Sequence, residues 1–389
     1  MKTRGVPDFL LLFLTALIVG FGILMVLSSS SIFALTSFTA RGCSYCNGDE
    51  LYFVKRQLRF LLVGAAGMLI AMNIPFSFYK RNFLGIALVC FLSLLLVLIP
   101  GIGYESNNAR SWFRLGSLSV QPAEFAKLGL ILYLAAIIAK KGDGMRQLRT
   151  GLMPPLVITG MFFLLIALQP DLGSAAILLG TSLIVMICGG ARLIHLIGIG
   201  LPLLSLALTA YISTKKYAVN RLLSFLDPWS DPLNTGYHIV QSWVAIVHGG
   251  LWGTGFGKSI QKYLYLPEAH TDFIFAIISE ELGFVGTSLF LLVYLLFLLR
   301  GIHICLRVKD TFASLVGIGI ISMIALQAMI NIGGVTGTIP LTGVPLPFIS
   351  YGGSSLLVCM ISTGILLSVS REVSRQKVEE HLQKQTYSA

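Results

Sequence analysis

Charge is what this chain has least of. Across 389 residues, Asp, Glu, Lys and Arg together make up 12%, against roughly a quarter in an average soluble domain. Set beside 55% hydrophobic residues, that shortage excludes an ordinary soluble domain and points to an integral membrane protein. No stretch reads as a soluble module, and no internal repeat is visible. Cysteine is sparse, six in all. Cys90, Cys188, Cys305 and Cys359 fall in or beside apolar runs, where a small apolar side chain explains them. Cys43 and Cys46 form a CxxC with no second pair and no histidine close by, which leaves a local disulfide or two idle thiols rather than a zinc site. A nucleotide-binding loop is hinted at by Gly257, Lys258 and Ser259, but that motif needs a glycine five positions before Gly257, and Trp252 stands there.

What the chain has instead is ten apolar segments, at roughly 9–35, 58–74, 83–100, 123–139, 152–168, 171–189, 193–212, 273–299, 312–332 and 352–370. Each runs about 17 residues or more, enough to cross a hydrocarbon core of ~30 Å at 1.5 Å per residue. Backbone groups in lipid must pair internally, so the expected fold is an all-α integral membrane protein of ten transmembrane helices. It is read as one polytopic domain over 1–389, with a tail from about 371. The first segment, after Lys2 and Arg4, is longer than a signal-peptide core and is read as an uncleaved anchor. More than half of the 28 Lys and Arg residues, Lys80, Arg81, Lys140, Lys141, Arg307 and Lys309 among them, fall in short loops that an N-terminus-in arrangement puts on the cytoplasmic side. Both termini are then expected inside. The net charge of +11 is mainly topogenic and lipid-facing, with no nucleic-acid signature.

The outer loops carry the complexity. The longest, Ser213 to Thr271 between spans seven and eight, contains GYHIVQSWVAIVH, which places Ile239, Val240, Trp243, Val244 and Val247 on one helical face and suits a helix lying in the interface plane. The glycines that follow are read as close backbone packing or a hinge. The loop before span ten holds Pro340, Pro345 and Pro347 among glycines and is expected to be re-entrant or cavity-lining, since such backbone survives at membrane depth only where protein or water satisfies it.

Ionisable residues gather where these loops meet helices, and charge at a membrane boundary is costly enough to mark function. In QPAEFAK, Pro122 suits a first helical turn, Glu124 sits near its positive end, and Lys127 faces it three residues on. Gln169, Pro170 and Asp171 make a tight turn into span six, and Arg110 and Arg114 precede span four on the same side. In YLYLPEAHTDFIFAIISEELG, Asp272 enters span eight, and Glu280 and Glu281 follow about 12 Å deeper. Each group has a purely structural reading as well: Asp272 or Thr271 as a helix cap, Glu124 with Lys127 as a buried pair, His270 as a hydrogen-bonded loop residue. Glu280 and Glu281 cannot both face protein on a regular helix, so at least one is expected to look to a polar cavity or a neighbouring span.

These motifs follow one another in a recognisable order: VKRQL, NARSWFRLG with QPAEFAK, QPDLGSA, LPEAHTDFIFAIISEELG and PLPFISYGGSS. In them the chain resembles, over nearly its whole length, the SEDS glycosyltransferases of the FtsW, RodA and SpoVE group. Thr338 and Gly334 depart from the apolar residue and the valine usual in that signature, and the CxxC lies outside it. The resemblance implies a peptidoglycan glycosyltransferase that elongates glycan strands from lipid II, a disaccharide pentapeptide on undecaprenyl diphosphate. The essential aspartate of the HTDFIF motif is Asp272 here. It is expected to act as general base, taking the acceptor hydroxyl's proton as that oxygen attacks the anomeric carbon with inversion. Arg110, Lys127, Lys262 or a divalent cation, Mg or Mn, would offset the charge of the leaving diphosphate. Gln121, Glu124, Asp171, His270, Glu280, Glu281 and Ser350 complete the expected substrate-binding set.

Within the group, GYHIVQS and IQKYLYLPEAHTDFIF look closer to the division and sporulation branch. The resemblance further implies a monofunctional class B penicillin-binding protein as partner, other membrane proteins of the division complex, and a site on the extracytoplasmic side of the bacterial cytoplasmic membrane. A lipid II flippase is the alternative. It would need Glu124, Lys127, Asp171, Glu280 and Glu281 to continue as a polar path to the inner leaflet, where most spans look apolar. A non-catalytic scaffold of the division machinery, the third reading, gains nothing from an aspartate at 272.

Overall fold

A computed structural model of the chain describes residues 5–36, 43, 46–106, 109–115, 118–200 and 224–388. Helices dominate: α1 (Phe9–Leu35), α2 (Tyr52–Asn73), α3 (Phe76–Leu98), α4 (Pro122–Lys141), α5 (Met153–Ala167), α6 (Leu172–Cys188), α7 (Tyr237–Gly249), α8 (Ile274–Arg307), α9 (Thr311–Thr336) and α10 (Gly353–Ser388). Among the described residues, seven helices are long and apolar enough to cross a membrane, and α6 is apolar but shorter. The second expected span is a helix of 22 residues whose first turns carry Lys55, Arg56 and Arg59, so it lies outside those seven. The segment expected at 193–212 is helical from Leu193 to Gly200, and its remainder lies outside the described residues. The apolar stretches of α10 and α4 are buried over 83% and 78% of their length, against 22% for α3. The core therefore runs along α4 and α10, and α3 faces outward.

The expectation of an all-α chain needs one correction. Tyr104–Ser106 (β1), Ala109–Leu115 (β2) and Leu118–Val120 (β3) form an antiparallel sheet in the order β1-β2-β3, with Phe113 opposite Val120 and Arg110 opposite Glu105. The run ARSWFRL is rich in residues that suit a pleated surface, and it is too short and polar for a span. The sheet leads straight into α4 through Gln121, whose N–H donates to Ser354 Oγ at 2.9 Å, and Pro122 opens the helix.

Side-chain clasps draw the helix ends together at one end of the bundle. Asp8 caps α1 by accepting from the Leu11 N–H and takes two nitrogens of Arg300 at 2.6 to 3.1 Å. Arg371 donates to the Gly5 carbonyl and to Asn73 Oδ1, and Lys80 pairs with Asp310 at 3.0 Å. The opposite end carries the sheet, a disulfide between Cys43 and Cys46, α7, and the loops 250–273 and 337–352.

Helix α7 docks on a different face from the one its apolar residues define. Ile239, Val240, Ser242, Ala245 and Gly249 are buried, while Val244 and Val247 stay exposed. Small residues decide this: a Cβ at Gly249 would meet the Ser279 carbonyl, so only glycine lets α7 approach α8 so closely. Ser242 Oγ donates to the Val335 carbonyl, and Trp243 Nε1 donates to that of Thr336 at 3.0 Å.

Candidate active site

Helix α8 is where the acidic residues enter. Its N-cap is Phe273, with no side-chain capping bond, so Asp272 stands one residue outside the capping position, half-buried. The Asp272 carbonyl accepts from Asn331 Nδ2 at 2.8 Å, and the same nitrogen donates to the Val344 carbonyl at 2.8 Å. Four residues earlier on α9, Gln327 Nε2 donates to the Pro345 carbonyl and to Ser355 Oγ, while its Oε1 accepts from Lys127 Nζ at 3.2 Å. Lys127 also donates to Glu124 Oε1 at 2.8 Å, and both partners are almost wholly buried. Beside them Gln121 Nε2 donates to Asp171 Oδ2 at 2.8 Å, and Asp171 Oδ1 caps α6 through the Ser174 N–H. Gln121, Glu124, Lys127 and Asp171 thus gather at the ends of α4 and α6, and α9 links them to the backbone of Asp272.

Glu280 and Glu281 form a second, separate cluster. Both are buried, and Glu281 looks to a neighbouring span, α1, as expected of at least one of them; the helix is also not regular there. Gly283 breaks it at φ 66° and ψ −170°, and the glycine-rich segment after α7 fills the break. The Thr254 and Gly255 N–H groups donate to the carbonyls of Glu280 and Glu281, and the Phe284 and Val285 N–H groups donate to those of Gly250 and Leu251, all at 2.8 to 3.1 Å. The Glu280 carboxylate accepts from Ser259 Oγ and the Ile260 N–H, with His248 Nδ1 2.9 Å away. Glu281 accepts from Ser28 Oγ on α1 at 2.5 Å and pairs with Lys262 at 3.4 Å. Lys262 is therefore turned inward, and it donates to the Gly257 carbonyl as well.

The remaining expected residues are spread around these clusters. Arg110 pairs with Glu105 across the sheet at 3.3 Å. Ser350 Oγ accepts from the Leu346 N–H at 2.8 Å and its carbonyl accepts from Gln57 Nε2, which ties the loop 337–352 to α2. His270 is buried among the rings of Phe53, Phe33 and Tyr351, with centroids 4.4, 5.2 and 5.7 Å away, and its carbonyl accepts from the Tyr351 N–H. Burial pushes the His270 pKa down to about 4, against the opposing charge of Glu268, so the ring is neutral near pH 7. Leu264, Glu268 and Phe348 hold positive φ near this site, a conformation that costs a non-glycine residue about 1 to 3 kcal/mol and recurs at functional sites. Asn331, Gln327 and Ser28 belong to none of the motifs that point to the site. Two amides at i and i+4 in an otherwise apolar span, and four serines in a row from Ser28 to Ser31, were the available signals.

The chain matches the family profile described as "Cell cycle protein", the FtsW, RodA and SpoVE profile, over residues 8–375. It is 44% identical over 365 residues to Stage V sporulation protein E of Bacillus subtilis (strain 168), covering 94% of this chain and 97% of that protein. To the probable peptidoglycan glycosyltransferase FtsW of Geobacter sp. (strain M18) it is 37% identical over 363 residues, covering 93% and 96%. A chain in a solved structure described as "Structural coordination of polymerization and crosslinking by a peptidoglycan synthase complex" superposes with a TM-score of 0.73 at 29% identity, covering 94% of this chain and 98% of that one. The chain belongs to the FtsW, RodA and SpoVE family of cell cycle proteins.

Proposed function

We propose that this protein is a peptidoglycan glycosyltransferase that polymerises lipid II, with Asp272 as its general base. The observation that carries this reading is the placement of Asp272. It stands at the mouth of α8, outside the capping position, and Asn331, the loop 337–352 and Gln327 join it to the buried Lys127–Glu124 pair of α4. A carboxylate there can accept the proton of an acceptor sugar hydroxyl as the oxygen attacks the anomeric carbon of the growing strand. The new glycosidic bond forms as the bond to the diphosphate breaks, and configuration inverts. Lys127 is the buried cation of the first cluster and is assigned to the diphosphate side, with Gln121, Glu124 and Asp171 holding its surroundings. Arg110, at the rim, serves the incoming anionic substrate. His270, Ser350, Lys262, Glu280 and Glu281 support this site by fixing the two loops that frame it.

Among the described residues no group of three His, Cys, Asp or Glu side chains could hold a metal. Mg or Mn belongs to this reading as a counterion of the diphosphate, where it would supply neutralisation of the leaving charge. The proposed topology is ten spans with both termini in the cytoplasm and the site at the extracytoplasmic face, where lipid II presents its sugars. The proposed partner is a monofunctional class B penicillin-binding protein, alongside other membrane proteins of the division complex. A solved neighbour that concerns polymerisation together with crosslinking supports that choice. Likeness to both a sporulation protein and FtsW proteins supports a role in division or sporulation. A flippase would need polar residues continuing through the bundle, whereas Glu124, Lys127 and Asp171 cluster at one end of it.

The test is polymerisation of purified lipid II by the full-length protein with its penicillin-binding partner. Wild type should give a ladder of glycan products, Asp272→Asn none, and Lys127→Ala a slowed ladder from a normally inserted protein. Wild type that makes no polymer with a competent partner and substrate overturns the polymerase reading in favour of the flippase or scaffold. Polymer from Asp272→Asn removes Asp272 from the role of base.

A further inference from the structure

We propose that Asn331 is a positioning residue for the base: its carboxamide fixes the backbone of Asp272 against the loop 337–352 and so sets where the carboxylate stands. This rests on Asp272 acting as general base. Asn331 is 4% exposed, inside α9. Its Nδ2 carries two hydrogens, and each has a separate carbonyl to meet, Asp272 on one side and Val344 on the other, both at 2.8 Å. Neither carbonyl belongs to a regular element, since Asp272 precedes α8 and Val344 lies in irregular chain. One planar group spanning two such carbonyls holds both segments in a single geometry.

Gln327 repeats the device one turn away. It grips Pro345, the residue after Val344, and at the same time receives Lys127 Nζ. Side chains four apart lie on one helix face, about 6 Å along the axis. The two amides therefore make α9 a spacer between the Lys127–Glu124 pair and Asp272, with Val344 and Pro345 pinned between them. A base that must reach an acceptor hydroxyl at hydrogen-bond distance depends on such spacing, because a displacement of about 1 Å can cost on the order of a hundredfold in rate. Asn331 Oδ1 is buried without a protein partner, so the carboxamide's bonding is all on its donor side, toward those two carbonyls.

The test uses the full-length protein with its penicillin-binding partner and lipid II, comparing wild type, Asp272→Asn, Asn331→Ala and Asn331→Ser as monodisperse complexes. The serine variant, whose hydroxyl can serve one carbonyl at most, keeps the test open should the alanine variant not fold. Positioning predicts a fall in kcat of about ten- to a hundredfold with KM for lipid II within about twofold. It also predicts a displaced acid limb in the pH dependence of kcat, because the surroundings of the carboxylate change. A residue that merely holds the fold would lower the active fraction and leave KM and the pH profile as in wild type. Wild-type kcat, or a uniform loss with unchanged KM and profile, overturns the proposal while leaving Asp272 as base. An inactive wild type, or polymerisation by Asp272→Asn, overturns the base reading itself, and the proposal falls with it.

Discussion

His270 sits two residues before the proposed base, yet the physics of its surroundings makes it a packing group. Rings of Phe53, Phe33 and Tyr351 close around it, and the loss of water lowers its pKa to about 4, while an unfolded chain leaves a histidine near 6.5. The folded state then binds fewer protons than the unfolded state between those values. The contribution of His270 to stability is fully present above pH 6.5 and is lost as pH falls toward 4, by roughly 3 kcal/mol at most. The expected outcome is a melting temperature of the solubilised protein that declines through this range, with a shallower decline in His270→Phe. Equal slopes for the two proteins would show that the ring titrates normally. The neighbours that surround His270 lie on α1, α2 and the loop 337–352, far away in the chain.

At the scale of elements, the break in α8 links the acidic motif to the rest of the site. The chain inserts a segment from the preceding loop where α8 abandons its own hydrogen bonds at Gly283, so the carbonyls of Glu280 and Glu281 and the N–H groups of Phe284 and Val285 remain paired. Gly283 has φ 66°, and a Cβ there would run into Gly253 N and Leu251 O. Gly283→Ala should therefore lower thermal stability through about 1 to 3 kcal/mol of strain plus displacement of the inserted segment, and slow polymerisation as the Asp272 loop shifts. Gly85→Ala, on the outward-facing α3 with nothing within 4 Å, is the control and should leave melting unchanged or raise it. If both variants melt alike, the break is not fixed by that glycine. The sequence shows the glycines and the two glutamates, but a helix period extended through SEELG hides the break, because the partner that stabilises it comes from 250–255.

For the whole molecule, the basic loops predict sidedness. Single-cysteine variants at Glu105 and Lys258, both exposed at the end that carries the sheet, should react with a membrane-impermeant maleimide in intact cells. Variants at Lys140 and Lys309, exposed at the other end, should react only after permeabilisation. The reverse pattern would invert the orientation and put Asp272 on the side without a glycan strand to extend.

Most of the spans were legible in composition and hydropathy, and Asp272, Glu124, Lys127 and Asp171 stood out as charges at helix ends, with the role of Asp272 implied by the family resemblance. Those features depend on runs of neighbouring residues, and apolar length in lipid leaves the backbone few choices. Packing decided the rest: that Lys262 turns to Glu281, that Arg110 pairs within a small sheet, that α7 docks through its small residues, and that Asn331 and Gln327 span loops to reach Asp272 and Lys127. Each of these depends on contacts between residues far apart in the chain, and a side chain's local pattern carries no record of the distant carbonyl or carboxylate that it will meet.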